Sequence, residues 1–294
     1  MTCLTWNLQW KSPVGAAGKL IQRCIAALDP DVICFTETVT SMVPEGYRIE
    51  SDPEYGYDNR GVRRKVILWS KIPFTEIDIV GDADMPTGRF VSGVAGGIRF
   101  IGVCIPWFDA HVRHGKKDKR QWEDHLTFCA GLASMLTRSS SQSLPVCILG
   151  DFNQRIPRAS QPMHVYDALM KAIPPTFKII TEGIMDEDGE QLIDHIVVSQ
   201  SLTASTPQIV SRYSSDGTEL SDHVGVFTRI EKSDILSKCQ YEQPQPGHFK
   251  DDTPPIKRPL TNAKMLSLIQ GLSPEDKRRL EAVLHEGCLP PPQS

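Results

Sequence analysis

Long apolar runs are missing from this chain. No stretch approaches the roughly 20 consecutive apolar residues that a membrane-crossing helix needs, so a helical membrane protein is not expected and no membrane partner is anticipated. Paired Cys-x-x-Cys spacings are missing too, which argues against a zinc ribbon or a thioredoxin-like redox motif. The eight cysteines are scattered. Cys3, Cys24, Cys34, Cys104, Cys129 and Cys147 sit in apolar patterns and read as small buried hydrophobes of a reducing compartment. Internal repeats are absent, which argues against a solenoid. The opening "TCLTWNLQW" has neither a basic n-region nor an apolar h-region, so no signal peptide is expected and the chain is expected to be cytoplasmic. A large charge imbalance is also missing: the net charge of −4 argues against a blanket polyanion binder but leaves room for local patches. What is present is ordinary globular material, 294 residues with 40% hydrophobic and 23% charged, enough to bury a substantial core.

The periodicities alternate between strand and helix. "TCLTWNLQW" alternates as a strand, with Cys3, Thr5 and Asn7 on one face and Leu4, Trp6 and Leu8 on the other. "GKLIQRCIAALDPD" keeps helical spacing through Leu20, Ile21, Cys24, Ile25 and Leu28 and is closed by Pro30. "DVICFTET" predicts a buried strand that stops at Glu37, and "KVILWS" another. "FVSGVAGGIRFIGVCIP" predicts a hairpin turned by Gly96-Gly97. A second long helix is expected near Gln121 to Leu136, burying Trp122, Leu126, Cys129, Ala133 and Leu136. "VCILGDFNQ", "LIDHIVVS" and "HVGVFTRIE" supply the remaining strands. The fold class expected is α/β, with packed sheets and outer helices.

After Glu231 the composition changes. A proline-rich linker is expected over 232–260, followed by a short helical C-terminal tail over 261–294. The tail's second helix candidate is marked by Ser273 as cap, Pro274 in the first turn and Gly287 past its end. Two helices this short bury too little to stand alone, so docking on a protein partner or self-association is expected.

Polar residues recur where predicted strands end: Asn7, Glu37, Asp151 with Asn153, Asp194, and Asp222 with His223. Strands of one sandwich can deliver such ends to a single rim. Several carboxylates, two carboxamides and an imidazole are the groups that metal-assisted phosphoester chemistry requires. Carboxylate oxygens suit hard cations such as Mg²⁺ or Mn²⁺, and the metal neutralises charge developing on a phosphoryl oxygen. Each cluster also has a plain reading as a turn or a solvated strand end; the ordered set is what carries the argument.

That ordered set, "TWNLQW", "DVICFTET", "ILGDFNQ", "LIDHIVVS" and "LSDHVGVF", resembles the successive motifs of the endonuclease/exonuclease/phosphatase family over about residues 1–231. The resemblance implies a four-layer sandwich, two packed β-sheets flanked by helices. It implies Glu37 as the principal metal ligand and Asp222 as a further carboxylate near the metal. Asp151 is implied as the residue that orients or deprotonates the attacking water, and Asn7 and Asn153 as amides on the phosphate and metal network. His223 is implied as the imidazole on the scissile phosphate, held by Asp194. Adjacent strand residues point opposite ways, so Asp222 is expected on the metal side and His223 on the phosphate side.

Departures from the family pattern are specific. Gln9 stands where abasic endonucleases carry Asp, and Cys104 stands where relatives place a Tyr or His on the phosphate. Arg89, in "TGRFVSG", matches a phosphate-contacting Arg only loosely. "HVRHGKKDKR", from His111 to Arg120, carries a formal +4 with His neutral, Arg113, Lys116, Lys117, Lys119 and Arg120 against Asp118. His111 is expected at the phosphate backbone, with Trp107 positioned to stack on a base. The function expected is a Mg²⁺-dependent phosphodiesterase on nucleic acid, an endonuclease nicking or cutting DNA. The alternatives are a phosphatase or phosphodiesterase on lipid or small-molecule phosphates, and a non-catalytic binding module on the same fold.

Overall fold

Alternating apolar positions in the β-branched and cysteine-rich stretches build two sheets whose inner faces meet. The computed structural model describes residues 1–57, 61–139 and 144–233. Its elements run β1 (Thr2–Asn7), α1 (Ala16–Leu28), β2 (Val32–Val39), a 3₁₀ turn (Thr40–Met42), β3 (Tyr47–Glu50), β4 (Arg63–Ser70), β5 (Thr75–Asp78), β6 (Phe90–Ala95), β7 (Ile98–Cys104), α2 (Glu123–Ser139), β8 (Val146–Asp151), α3 (Met163–Ala172), β9 (Phe177–Ile179), β10 (Asp194–Ser199), β11 (Leu202–Ala204), β12 (Gln208–Val210) and β13 (Gly225–Lys232).

One sheet has the order β11-β13-β1-β2-β4-β3, with β12 also paired to β13; the other has the order β5-β6-β7-β8-β10-β9. Both are mixed: β1 and β2 run parallel, as do β7 and β8, and their other neighbours run antiparallel. Cys3, Cys34, Val66 and Leu68 from the first sheet pack against Val91, Phe100, Cys147, Leu149 and Ile196 from the second. On the first sheet's outer face Leu4, Trp6, Ile33 and Phe35 pack on Ile21 and Ile25 of α1. On the second's outer face Ile101, Val103 and Ile148 pack on Phe128 and Leu132 of α2 and Leu169 of α3. The result is the expected four-layer sandwich. Apolar burial of this kind, about 25 cal/mol per Å², is the main stabilising term.

The Gly96-Gly97 turn forms as expected, with φ of 59° and 71°, the left-handed pair a two-residue hairpin needs. Two expectations are corrected. The strand predicted to stop at Glu37 continues to Val39: Glu37 takes φ 45° and falls out of the ladder opposite Lys65, but the Thr36–Val66 and Thr38–Arg64 pairs on either side keep one register. The second helix starts at Glu123, and Trp122, placed inside it, stands before it at φ 67° and is only partly buried. Its inward face is Phe128, Leu132 and Met135 together with Cys129 and Leu136. Apart from Lys232, which ends β13, and Ser233, the expected linker and tail lie outside the described residues.

Candidate active site

Parallel pairing puts the C-terminal ends of β1 and β2 side by side, and those of β7 and β8 side by side. β10 runs against β8, so its first residue, Asp194, lies directly opposite Asp151, the last residue of β8. β13 runs against β1, which brings the segment just before it, Ser221 to His223, to the end of β1. Ser221 Oγ donates to the Asn7 carbonyl at 2.6 Å and Trp6 Nε1 to the His223 carbonyl at 3.0 Å, fixing that segment. Strand ends from both sheets therefore converge.

Asp151 is buried, 2% exposed. Its Oδ2 accepts from Asn7 Nδ2 at 3.0 Å and its Oδ1 from the Asn153 backbone N–H at 2.9 Å. Asn153 sits at φ 52°, a conformation Asn tolerates better than most residues, and its Nδ2 donates to the Ile105 carbonyl at 2.9 Å. The preceding Gly150 has φ 147°, and a Cβ there would lie 1.9 Å from the Val103 carbonyl oxygen. Only glycine allows this approach, and it delivers Asp151 to the rim.

His223 Nδ1 lies 2.5 Å from Asp194 Oδ2. Burial acts to lower the imidazole's pKa, but the Asp194 carboxylate outweighs it and holds His223 up at about 10. Burial raises Asp151, reinforced by the Asp194 charge opposite it, to about 7. Asp194 is raised as well, burial again being the largest cause, with His223 opposing. The second Asp194 oxygen, Oδ1, is buried with no hydrogen-bond partner. Asp151, Asp194 and His223 offer ligand atoms within 4.8 Å of one another. An oxygen-rich set with an orphaned carboxylate oxygen and accumulated buried negative charge fits a hard divalent cation.

Glu37 and Asp222 stand outside that cluster. Glu37 Oε1 is 2.5 Å from Lys65 Nζ. Asp222 Oδ1 is 3.9 Å from His223 Nε2, so both side chains face one cleft, which Arg155, Asp186, Glu190 and Arg212 also line. The expected division into a metal side and a phosphate side is thus not one of opposite faces. Cys104, paired with Asp151 in register, is 1% exposed, and burial pushes its thiol up to about 12. Arg89 is 1% exposed; its Nη1 reaches the Cys104 carbonyl at 3.5 Å, while Nε and Nη2 are buried without partners. Trp107 is 38% exposed, edge-on to Phe108. His111 is turned inward instead: Nδ1 meets Asp124 Oδ2 at 2.6 Å and Nε2 meets the Tyr55 carbonyl at 3.1 Å. Both ring nitrogens are engaged, so His111 is not available to a phosphate.

Residues the motifs did not flag complete the site. Lys65 and its aromatic neighbours Trp10, Tyr55 and Tyr57 flank Glu37. Beneath the Asp151 loop, Gln154 bridges two buried imidazoles, His125 at 2.6 Å and, through its carbonyl, His195 at 2.9 Å. Burial lowers both histidines to about 4, so they are neutral props. A lysine heading an otherwise apolar strand, "KVILWS", was the one sequence signal available for Lys65.

Residues 4–223 match the profile of the Endonuclease/Exonuclease/phosphatase family. The chain belongs to this family, and is by class a phosphoester hydrolase. Among solved structures it is similar to an AP endonuclease from Archaeoglobus fulgidus, at 16% identity and a TM-score of 0.59, covering 79% of this chain and 99% of that one. It is similar to a 3′ phosphatase from Neisseria bound to product DNA hairpin, at 16% identity and a TM-score of 0.57, covering 79% and 99%. A humanized D. rerio TDP2 aligns at 12% identity and a TM-score of 0.53, again over 79% and 99%. At these identities the likeness is one of fold. No curated protein sequence matches the chain. No helix among the described residues is long and apolar enough to cross a membrane.

Proposed function

We propose that the chain is a divalent-metal-dependent phosphodiesterase acting on nucleic acid, a DNA endonuclease. The observation that carries this reading is the convergence of Asn7, Asp151, Asp194 and His223 from two sheets onto one rim, with a buried carboxylate pair at its centre. Glu37 and Asp222, with oxygens of the Asp151–Asp194 pair, would hold Mg²⁺ or Mn²⁺. The ion supplies charge neutralisation at a non-bridging phosphoryl oxygen. Asp151, raised to about 7, is poised to orient the attacking water and take its proton near neutral pH. His223, protonated at that pH, donates from Nε2 to a phosphoryl oxygen as charge builds on it. Asp194 holds the ring through Nδ1. Asn7 spans Asp151 and the Gln9 backbone, which fixes its amide beside the phosphate. Arg89, buried behind the Cys104 carbonyl, would act through its charge rather than by direct contact with substrate.

Preference for a nucleic acid over a small phosphate ester rests on the surface around the rim. Trp107 offers an exposed aromatic face, and the Arg113–Arg120 segment is basic. The similar structures, those of an AP endonuclease and a DNA-bound 3′ phosphatase, support the same reading. The test is a panel: supercoiled plasmid, linear duplex, single-stranded DNA, RNA and an aryl phosphate, each with Mg²⁺, Mn²⁺ or EDTA. Plasmid nicking that needs the metal is expected. Hydrolysis of the aryl phosphate with no cleavage of any nucleic acid would overturn the assignment.

A further inference from the structure

Lys65 stands on β4 opposite Glu37, where the positive φ of Glu37 interrupts the β2–β4 ladder. The side chain is 10% exposed, and its ammonium lies 2.5 Å from Glu37 Oε1. Three aromatic faces surround it, with Nζ 5.2 Å from the Trp10 ring centre, 5.6 Å from Tyr55 and 5.8 Å from Tyr57. Trp10 and Tyr55 lie nearly parallel, 15° between planes, so the ammonium stands beside a stacked aromatic pair. Of its neighbours, Arg64 pairs with Glu50, and Arg63 lies over the same Trp10 ring.

A buried ion pair is weak evidence for a purely stabilising role, because desolvating both charges consumes most of their attraction. Here the pair also sits on a residue held at φ 45°, a conformation that a glutamate adopts only at a cost. The charge of Lys65 reaches the catalytic side as well. Burial dominates the raised Cys104 thiol; Lys65 is the strongest charge acting on it and pulls it back, as Arg89 does more weakly, while the Asp151 carboxylate pushes it further up.

We infer that Lys65 is a resident cation competing with the divalent metal for the Glu37 carboxylate, and so sets how tightly that metal is held. The inference rests on the reading of Glu37 as a metal ligand. With the ammonium on Oε1, metal arrival requires Lys65 to withdraw into the aromatic cage or to share the carboxylate. In either case a positive charge stands next to the ion. Removing one unit charge at this range raises the affinity of a partly buried divalent site by at least about tenfold.

The experiment is calorimetric titration of Mn²⁺ into the metal-free full chain, without substrate, for wild type, K65M, K65Q, K65R and E37Q. Circular dichroism and thermal unfolding check each fold. K65M and K65Q should bind Mn²⁺ at least about tenfold more tightly, and K65R should stay close to wild type. Unchanged or weaker binding by the folded neutral variants overturns the inference, and weaker binding would make Lys65 the group that orients Glu37 as a ligand. E37Q separates the two readings. If E37Q binds like wild type, Glu37 is not a ligand and the underlying reading fails. If E37Q loses binding while K65M and K65Q are unchanged, only the role of Lys65 fails. A measurement on wild type needs no variant to fold: acylation of Lys65, read by mass spectrometry, should change when Mg²⁺ is added, because the ion takes the carboxylate that the ammonium held. Labelling that does not respond to Mg²⁺ overturns the competition.

Discussion

His223 Nδ1 lies 2.5 Å from Asp194 Oδ2, a contact that joins the segment preceding the last strand of one sheet to the first residue of a strand in the other. Two groups this close work as a unit. H223A and D194N should each lower kcat by about 100-fold or more, and the double variant should lose little more than the worse single one. Strictly additive losses in steady-state kinetics would show that Asp194 does not act through His223.

The pH–rate profile should be bell-shaped. Asp151 must be ionised to accept a proton, so the rate rises as pH passes about 7. His223 must be protonated to donate, so the rate falls as pH passes about 10. The acidic limb belongs to the Asp151–Asp194 pair and should move to lower pH as Mg²⁺ is raised, because a cation favours the ionised pair. A limb indifferent to Mg²⁺ would place the metal away from these carboxylates.

Stability should follow the same groups. Asp151 and His223 both titrate higher in the folded chain than at their ordinary values of 3.8 and 6.5. Each therefore contributes stability that is fully present below its unfolded value and lost as pH rises through the folded one. The metal-free Tm should fall between about pH 4 and 7 from Asp151, and between about pH 6.5 and 10 from His223. D151N, which keeps the shape without the charge, should be the more stable protein at pH 8 and nearly inactive. A D151N Tm below that of wild type at pH 8 would mean the ionised carboxylate is well compensated.

Cys104 should be a packing residue. Its thiol is buried and pushed up to about 12, so little thiolate exists at neutral pH. C104S should retain activity within about tenfold, and the native thiol should resist alkylation until the chain unfolds. A loss as deep as that of D151N would assign this position a chemical part.

Gly150 should tolerate no side chain. An added Cβ would meet the Val103 carbonyl at 1.9 Å on a backbone at φ 147°. G150A should cost on the order of 4 kcal/mol or leave the chain unfolded, measured by denaturant titration; a near-native midpoint would mean β7 and β8 can part here without penalty.

The sandwich and the polar strand ends were legible because both are written locally. Apolar runs mark β1, β8, β10 and β13, and Asn7 and Asp151 stand at the ends of the first two, Asp194 at the start of the third and His223 just before the fourth. What was not legible depends on tertiary pairing or backbone conformation. Glu37 looks like a strand end because its positive φ leaves no trace in residue type, yet β2 runs on past it. His111 sits in a basic segment and reads as a phosphate contact, but its ring is claimed by Asp124 and by a carbonyl in a distant loop. Lys65 heads an apolar strand and reads as its polar edge until the β2–β4 pairing sets Glu37 against it.

Asp151 and Asp194 are locked to each other by the β8–β10 ladder, whereas Asn7 and His223 reach them only across the seam between the sheets. The catalytic distances are thus a gauge of how the two slabs sit on one another. A sliding of a fraction of an ångström between them would leave every strand intact and still separate donor from acceptor. Activity should then decay under mild denaturant before the far-ultraviolet signal changes. Substitutions at Cys34 or Leu149, deep in the seam, would tune turnover from a distance.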